Sequence, residues 1–321
     1  SKCARFFVCE ITEIVKEAKI IHKLDPIETM IFGKLLTGIV MIGKDLKGEK
    51  DIVTLKINAD GPYGNMIATG NKNGEVKGYI NKSTDKFNQI VDESGNFKTD
   101  DTGQIRFIGN GTFQIIKDLG LKEPFSGLIE IEEEDMGEIF ANYFMLSDQI
   151  KSVVSLGVKL DENGEVLRAG GYMIQLLPGV EEGFIEKLEK KLNQIRGITD
   201  LLKGGLSLEQ IVELLYEDIT VVEDESTMEG AHIKNYVEDF EILEKSEIEY
   251  KCNCSKEKYF NGLIILGKQE IENINEQLVD KEEEIRKKVS ILGLENVEII
   301  DLHITLKEYK DKMNKMKEIQ N

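Results

Sequence analysis

Two thiols one residue apart are the side chains of this chain best suited to chemistry. They are Cys252 and Cys254, in Lys251-Cys252-Asn253-Cys254-Ser255-Lys256. A C-x-C pair can turn both sulfurs to one side of an extended turn, a geometry that suits zinc, which thiolates bind well. Structural zinc takes four ligands, usually from two such knuckles. No cysteine follows Cys254 as far as Asn321, and the other two, Cys3 and Cys9, stand far away near the N-terminal end. Lys251, Lys256 and Lys258 lie close in sequence and favour thiolate over thiol, so redox switching is a second candidate. The plainer alternative is a pair of half-exposed loop thiols. His232 and His303 are candidate further ligands, although a lone histidine is more often an ordinary surface or core residue.

Other chemistry is hard to find. Gly170-Gly171 and Gly109-Asn110-Gly111 are candidate phosphate loops, but neither is followed by Lys-Ser/Thr or set as G-x-G-x-x-G between strand and helix. Structural turns are the better reading of both. There is no H-E-x-x-H and no G-x-S-x-G. Carboxylate pairs are abundant, but among sixty acidic residues they arise by chance on solvated faces. The pattern favours a binding protein over an enzyme.

The elements that must position the thiols read as an α+β chain. Arg5–Cys9 has the look of a short buried strand, and Thr12 caps a helix to about His22. Asp25-Pro26-Ile27-Glu28 starts a second helix with N-cap, Pro at N1 and a returning Glu. Apolar or small residues lie on nearly every face of that helix, which marks it as central and buried. Val53, Leu55 and Ile57 then alternate with polar residues, the period of a half-buried strand. Turn signals at 60–65, Asn73-Gly74 and Asn163-Gly164 separate further strands at 66–69, 76–80, 112–117, 128–131, 153–160 and 172–177. Residues 83–104 read as a polar loop, and 136–144 as a helix. The whole of 1–178 is expected to be an antiparallel β-rich domain with packed helices.

After Pro178 the pattern turns helical. Phe184, Leu188, Leu192 and Ile195 share a face, and Ser207-Leu208-Glu209-Gln210 is a capping box ahead of Ile211, Leu214 and Leu215. Residues 179–250 are therefore expected to be a helical linker lying over the β-rich half. An acidic insertion sits near 220–240, where 217–245 holds ten acids against two lysines, and 223–230 is expected to be disordered. Residues 251–321 form a small C-terminal lobe, with helices expected at 262–274 and along the stripe Leu302, Leu306, Tyr309, Met313 and Met316.

Totals exclude some partners. A net charge of −19 argues against nucleic acid and anionic membrane surfaces. The apolar run Ile31–Ile42 is short and contains Lys34, so no span is expected, and a cytoplasmic location follows. Four cysteines in 321 residues fit a reducing compartment with special-purpose thiols.

Several segments, in unbroken order from about residue 5 to about 274, resemble the redox-regulated 33 kDa chaperonins, the heat shock protein 33 family. They include Arg5-Phe6-Phe7-Val8, Asp60-Gly61-Pro62, Gly74-x-Val76-x-Gly78-Tyr79, Ile116–Pro124 and Ala169–Gly179. Leu201-Leu202, Gly205-Leu206-Ser207-x-Glu209, Cys252-x-Cys254-Ser255-x-Glu257 and Leu266-Gly267-Lys268-x-Glu270 continue the match.

The resemblance implies an ATP-independent holdase that binds unfolding client proteins. It also implies zinc as cofactor, held by a C-x-C and a C-x-x-C and released on oxidation, so that the zinc lobe and the linker unfold. Leu188, Leu192, Ile211 and Leu214, with the platform beneath them, would then be open to clients. This chain departs from that pattern: the C-x-x-C is missing, and the charged tail 276–321 stands in its place. Cys252 and Cys254 carry over as half of the ligand set and as the redox pair. A second copy of the chain is a further candidate partner, since two cysteines from each of two subunits would complete a tetrahedral site. A lobe held shut by the tail helix, with redox control weakened or lost, is the expected consequence. The alternatives are a thiol- or zinc-dependent enzyme and an interaction module without chaperone activity.

Overall fold

The computed structural model describes residues 3–81, 90–92, 97–99, 103–216, 220–227, 230–237 and 240–252, with backbone only for the two segments between 220 and 237. All of them lie in one compact unit, Ser1–Cys252. Cys254, His303, the helix expected at 262–274 and the stripe 302–316 fall outside the described residues.

Two sheets sandwich one helix. The larger is six-stranded, in the order β11-β4-β3-β2-β5-β6. It comprises β2 (Ile52–Ala59), β3 (Asn65–Asn71), β4 (Glu75–Ile80), β5 (Gly111–Asp118), β6 (Phe125–Ile131) and the two-residue β11 (Glu249–Tyr250). The smaller is three-stranded: β1 (Ala4–Glu10), β8 (Val166–Leu176) and β7 (Ser152–Leu160), with β8 in the middle. Neighbours are antiparallel except β11, which runs parallel to β4. The strands expected at 153–160 and 172–177 form a separate sheet with β1.

Helix α2 (Pro26–Lys44) contacts both sheets. It opens on the expected capping box, in which Asp25 Oδ1 accepts from Glu28 N–H at 2.7 Å and Glu28 Oε2 accepts from Asp25 N–H at 3.0 Å. Its 19 residues are long and apolar enough to cross a membrane by length and composition, beyond what the run 31–42 implied, yet 78% of that window is buried inside the protein. It is the central core helix. Helix α1 (Thr12–His22) packs beside it, but Thr12 is not its cap. The Thr12 hydroxyl instead accepts from Ala169 N–H at 3.0 Å and ties α1 to β8.

Alternation explains the strands. Val53, Leu55, Ile57 and Ala59 are buried on β2, as are Met66 and Ala68 on β3, and Phe113 and Ile115 on β5. They face α2 and the helix α3 (Met136–Tyr143), which a π-turn at Phe144–Asp148 prolongs. The polar loop expected at 83–104 is not wholly polar, because Ile90 and Val91 are buried with Tyr63 in a small cluster.

Strand β8 is buried on both faces. Ala169 and Met173 face the core around α2, while Tyr172 and Ile174 face a second core. Gly170-Gly171 sits in the middle of this strand, neither a phosphate loop nor a turn. A Cβ on Gly171 would meet Ser155 O and Thr37 Cγ2 at 2.7 Å each, and one on Gly170 would meet Leu202 Cδ1 at 2.8 Å. The pair lets helices approach the strand from both sides. Gly171→Ala is expected to cost about 1–3 kcal/mol in urea unfolding, because backbone and packed side chain must both give way. Gly109-Asn110-Gly111 is a turn as expected, with Gly109 at φ +80°.

The second core covers the outer face of the three-stranded sheet. Three short helices build it: α4 (Glu182–Leu192), α5 (Ile198–Lys203) and α6 (Leu208–Tyr216). The capping box of α6 is present, with Gln210 N–H donating to Ser207 Oγ at 3.2 Å and Ser207 N–H to Gln210 Oε1 at 2.9 Å. The linker is not helical throughout. Residues 220–227 and 230–237 pair as an antiparallel hairpin, β9 and β10, where disorder was expected at 223–230. The β-branched and aromatic residues Val221, Val222, Ile233, Tyr236 and Val237 favour extended backbone, and local pairing outweighs the acidic charge.

Candidate client-binding surface and thiol site

A second buried interface lies between α4–α6 and the three-stranded sheet. Phe184, Leu188, Ile198, Leu201, Leu202, Ile211 and Leu215 come from the helices, and Ala4, Tyr172 and Ile174 from the sheet. Of the four side chains expected on the client face, Leu188 and Ile211 are buried, and Leu192 and Leu214 pack at its margin. The helices have 11, 6 and 9 residues. Isolated helices below about 12–15 residues are marginal in water, so these hold their form only by packing on the platform. Lifting them off exposes an apolar sheet face and an apolar segment together.

Electrostatics on the rim are exposed and modest. Lys159 pairs with Asp200 on α5, and Lys245 pairs with Glu209 on α6 at 2.5 Å. The Lys245 ammonium, helped by hydrogen bonds from the Glu209 backbone and Ser207, holds the Glu209 carboxyl at about 2, below its ordinary 4.5. A lowered carboxylate contributes stability that is complete above its unfolded value and is lost as pH falls through its folded one. The Glu209–Lys245 pair is therefore expected to be lost as pH drops from 4.5 toward 2, which NMR titration of the Glu209 side-chain carboxyl carbon would show.

The three described thiols do not come together. Cys252 is exposed just after β11, at the edge of the six-stranded sheet. Cys9 is buried in β1 of the other sheet, and Cys3 stands half-buried just before it, against the second core. Burial pushes the Cys9 thiol up to about 12, against a smaller opposing hydrogen bond from the Gly171 backbone. Native alkylation followed by mass spectrometry should modify Cys252 within minutes and leave Cys9 unmodified until the chain is unfolded. Lys251, expected to favour the thiolate, gives its ammonium to Glu75 and Glu249 instead. His232 lies on β10 in the hairpin.

These placements bear on zinc. Among the described residues, no three His, Cys, Asp or Glu side chains are grouped to hold a metal ion. Cys9 is committed to the core and Cys3 to the second core, on a different sheet from Cys252. Among the described residues, Cys3 and Cys9 therefore do not complete a four-thiolate set with Cys252.

Composition and motifs did not single out residues 246–250, which lead into Cys252. Tyr250 is 7% exposed in the main core, and its hydroxyl lies 2.7 Å from His22 Nε2. A signal was there: in Glu247-Ile248-Glu249-Tyr250, apolar and acidic residues alternate with the period of a strand.

Comparison with known proteins agrees with the fold. The model of the family described as Hsp33 protein matches residues 1–286. A 33 kDa chaperonin of Caldanaerobacter subterraneus is 39% identical over 267 residues, covering 82% of this chain and 81% of that protein. One of Bacillus pumilus is 36% identical over 274 residues, covering 85% and 84%. The crystal structure of the 33 kDa chaperonin of Thermotoga maritima superposes with a TM-score of 0.62 at 26% identity, covering 85% of this chain and 84% of that one. The family match over residues 1–286 and the identities above show that this chain belongs to the Hsp33 family.

Proposed function

We propose that this chain is an ATP-independent holdase chaperone that captures unfolding proteins on apolar surface uncovered when the layer α4–α6 leaves its platform. The observation that carries this is the second core, built from helices too short to persist without it. Bound, the layer is buried; released, it melts and offers an adaptable apolar segment beside a rigid apolar sheet face. The chain divides accordingly into a body, 1–178, a linker, 179–250, that carries the releasable helices α4–α6, and a C-terminal lobe, 251–321. The protein turns over no substrate and works in the bacterial cytoplasm, where its acidic charge keeps it soluble.

Redox control through two thiol pairs has no counterpart in these residues. Cys252 and Cys254 remain as a single pair, and release of the layer depends on temperature more than on oxidant. A chemically unfolded client, diluted into buffer with this chain and no nucleotide, tests the reading by gel filtration. Co-elution of client and chaperone after mild heating supports it. Aggregated client and unchanged chaperone elution count against it.

A further inference from the structure

Residues 240–252 follow the hairpin β9–β10 and end at Cys252. Phe240 stacks on Tyr216 of α6 with ring centroids 5.6 Å apart, and Lys245 pairs with Glu209 of the same helix. Glu244 reaches Lys44 at the end of α2 at 2.9 Å. Further on, Glu249 N–H donates to Gly74 O at 3.0 Å and Lys251 N–H to Val76 O at 2.8 Å, adding β11 to the free edge of β4. The segment is tied at one end to the layer and at the other to the body.

The two ties differ in kind. The Lys245–Glu209 and Lys251–Glu75 pairs are exposed and screened, so they hold weakly, and Glu244 meets the half-buried Lys44 from the solvent side. Ile242 and Leu243 are 45% and 85% exposed and grip nothing firmly. Tyr250 is different. Its ring is buried in the main core, edge-on to His22 at 6.1 Å. Its hydroxyl donates to Gly78 O at 3.2 Å, accepts from Gly78 N–H at 3.4 Å and bonds to His22 Nε2. A buried ring with a satisfied hydroxyl is costly to extract.

We propose that residues 240–252 are a strap that keeps the layer α4–α6 on its platform, with Tyr250 as the anchor that must leave its socket before the layer is released. Gly74, at φ +79°, is fitted to the strap, because a Cβ there would meet Glu247 O at 2.5 Å. Cys252 stands two residues beyond the anchor, so a change at the thiol pair reaches Tyr250 first. The strap gives a chain without the four-thiolate lock a physical device for keeping its client surface closed, and in this it rests on the holdase reading above.

The test is amide hydrogen exchange of the full chain, read peptide by peptide, alongside client aggregation. Tyr250→Phe keeps the ring and removes the hydroxyl bonds. It is expected to speed exchange in 182–216 about three- to tenfold, with 52–59 and 111–118 unchanged. Tyr250→Ala empties the socket, and about a hundredfold or more is expected in 182–216, with client holding at temperatures where the parent is inactive. Unchanged exchange in 182–216 in the folded variants overturns the strap, whatever the aggregation assay shows. Faster exchange there without client holding leaves the strap standing and overturns the holdase reading. If Tyr250→Ala does not fold, the Tyr250→Phe result decides alone.

Discussion

Ile211→Asp is expected to convert this chain into a holdase that needs neither heat nor oxidant. Ile211 is fully buried where α6 meets the platform. An unpaired carboxylate there costs several kcal/mol, which is most of what a short packed helix can gain from its contacts. The layer should leave the sheet while the main core, a separate cluster around α2, stays folded. Light scattering of a thermally unfolding client should fall to near baseline at about one chaperone per client, while far-UV circular dichroism keeps the strand signal. A variant with its layer detached by hydrogen exchange, yet unable to hold client, would place the client surface elsewhere.

Phe140→Ala is expected to have the largest effect on stability without favouring release. Phe140 is 1% exposed on α3, edge-on to Phe113 at 5.0 Å, and its ring closes over Gly38 of α2. Removing it leaves a cavity at the junction of α2, α3 and β5. Phe to Ala changes in such positions cost about 3–5 kcal/mol, a large part of an ordinary domain's stability. Urea unfolding followed by tyrosine fluorescence reads the loss. A change under about 1 kcal/mol would mean that the α3 layer is not packed as described.

Much of this architecture was legible in the sequence. Asp25-Pro26-Ile27-Glu28 and Ser207-Leu208-Glu209-Gln210 gave two helix starts to the residue, because each capping box is a local hydrogen-bond pattern. The alternation in 53–57 and the turns at Asn73-Gly74 and Asn163-Gly164 were equally local, and Gly74 and Gly164 both take positive φ. What was illegible was long-range. Nothing in Gly170-Gly171 says that helices press on both faces of one strand. Nothing in residues 166–176 says that their second partner is β1, with Ala4 opposite Leu176 and Glu10 opposite Gly170. The hairpin at 220–237 was hidden by its acidic charge, although its β-branched residues were visible.

The site was legible only in part. The apolar stripe of the linker predicted its buried face, as Leu188 and Ile211 show. The thiol motif drew attention to Cys252, whereas the structure puts the binding strength beside it, in Tyr250. Cys9, near the end of the strand expected at Arg5–Cys9, is buried, as free cysteines in apolar strands usually are.

The most direct measurement is light scattering of a thermally unfolding client with this chain added, once kept reduced and once after peroxide. Suppression of aggregation at stoichiometric amounts, similar in both states and beginning at the temperature where 182–216 loses exchange protection, is the expected result. Suppression only after peroxide would contradict a chaperone freed from its thiols, and no suppression in either state would contradict the holdase itself.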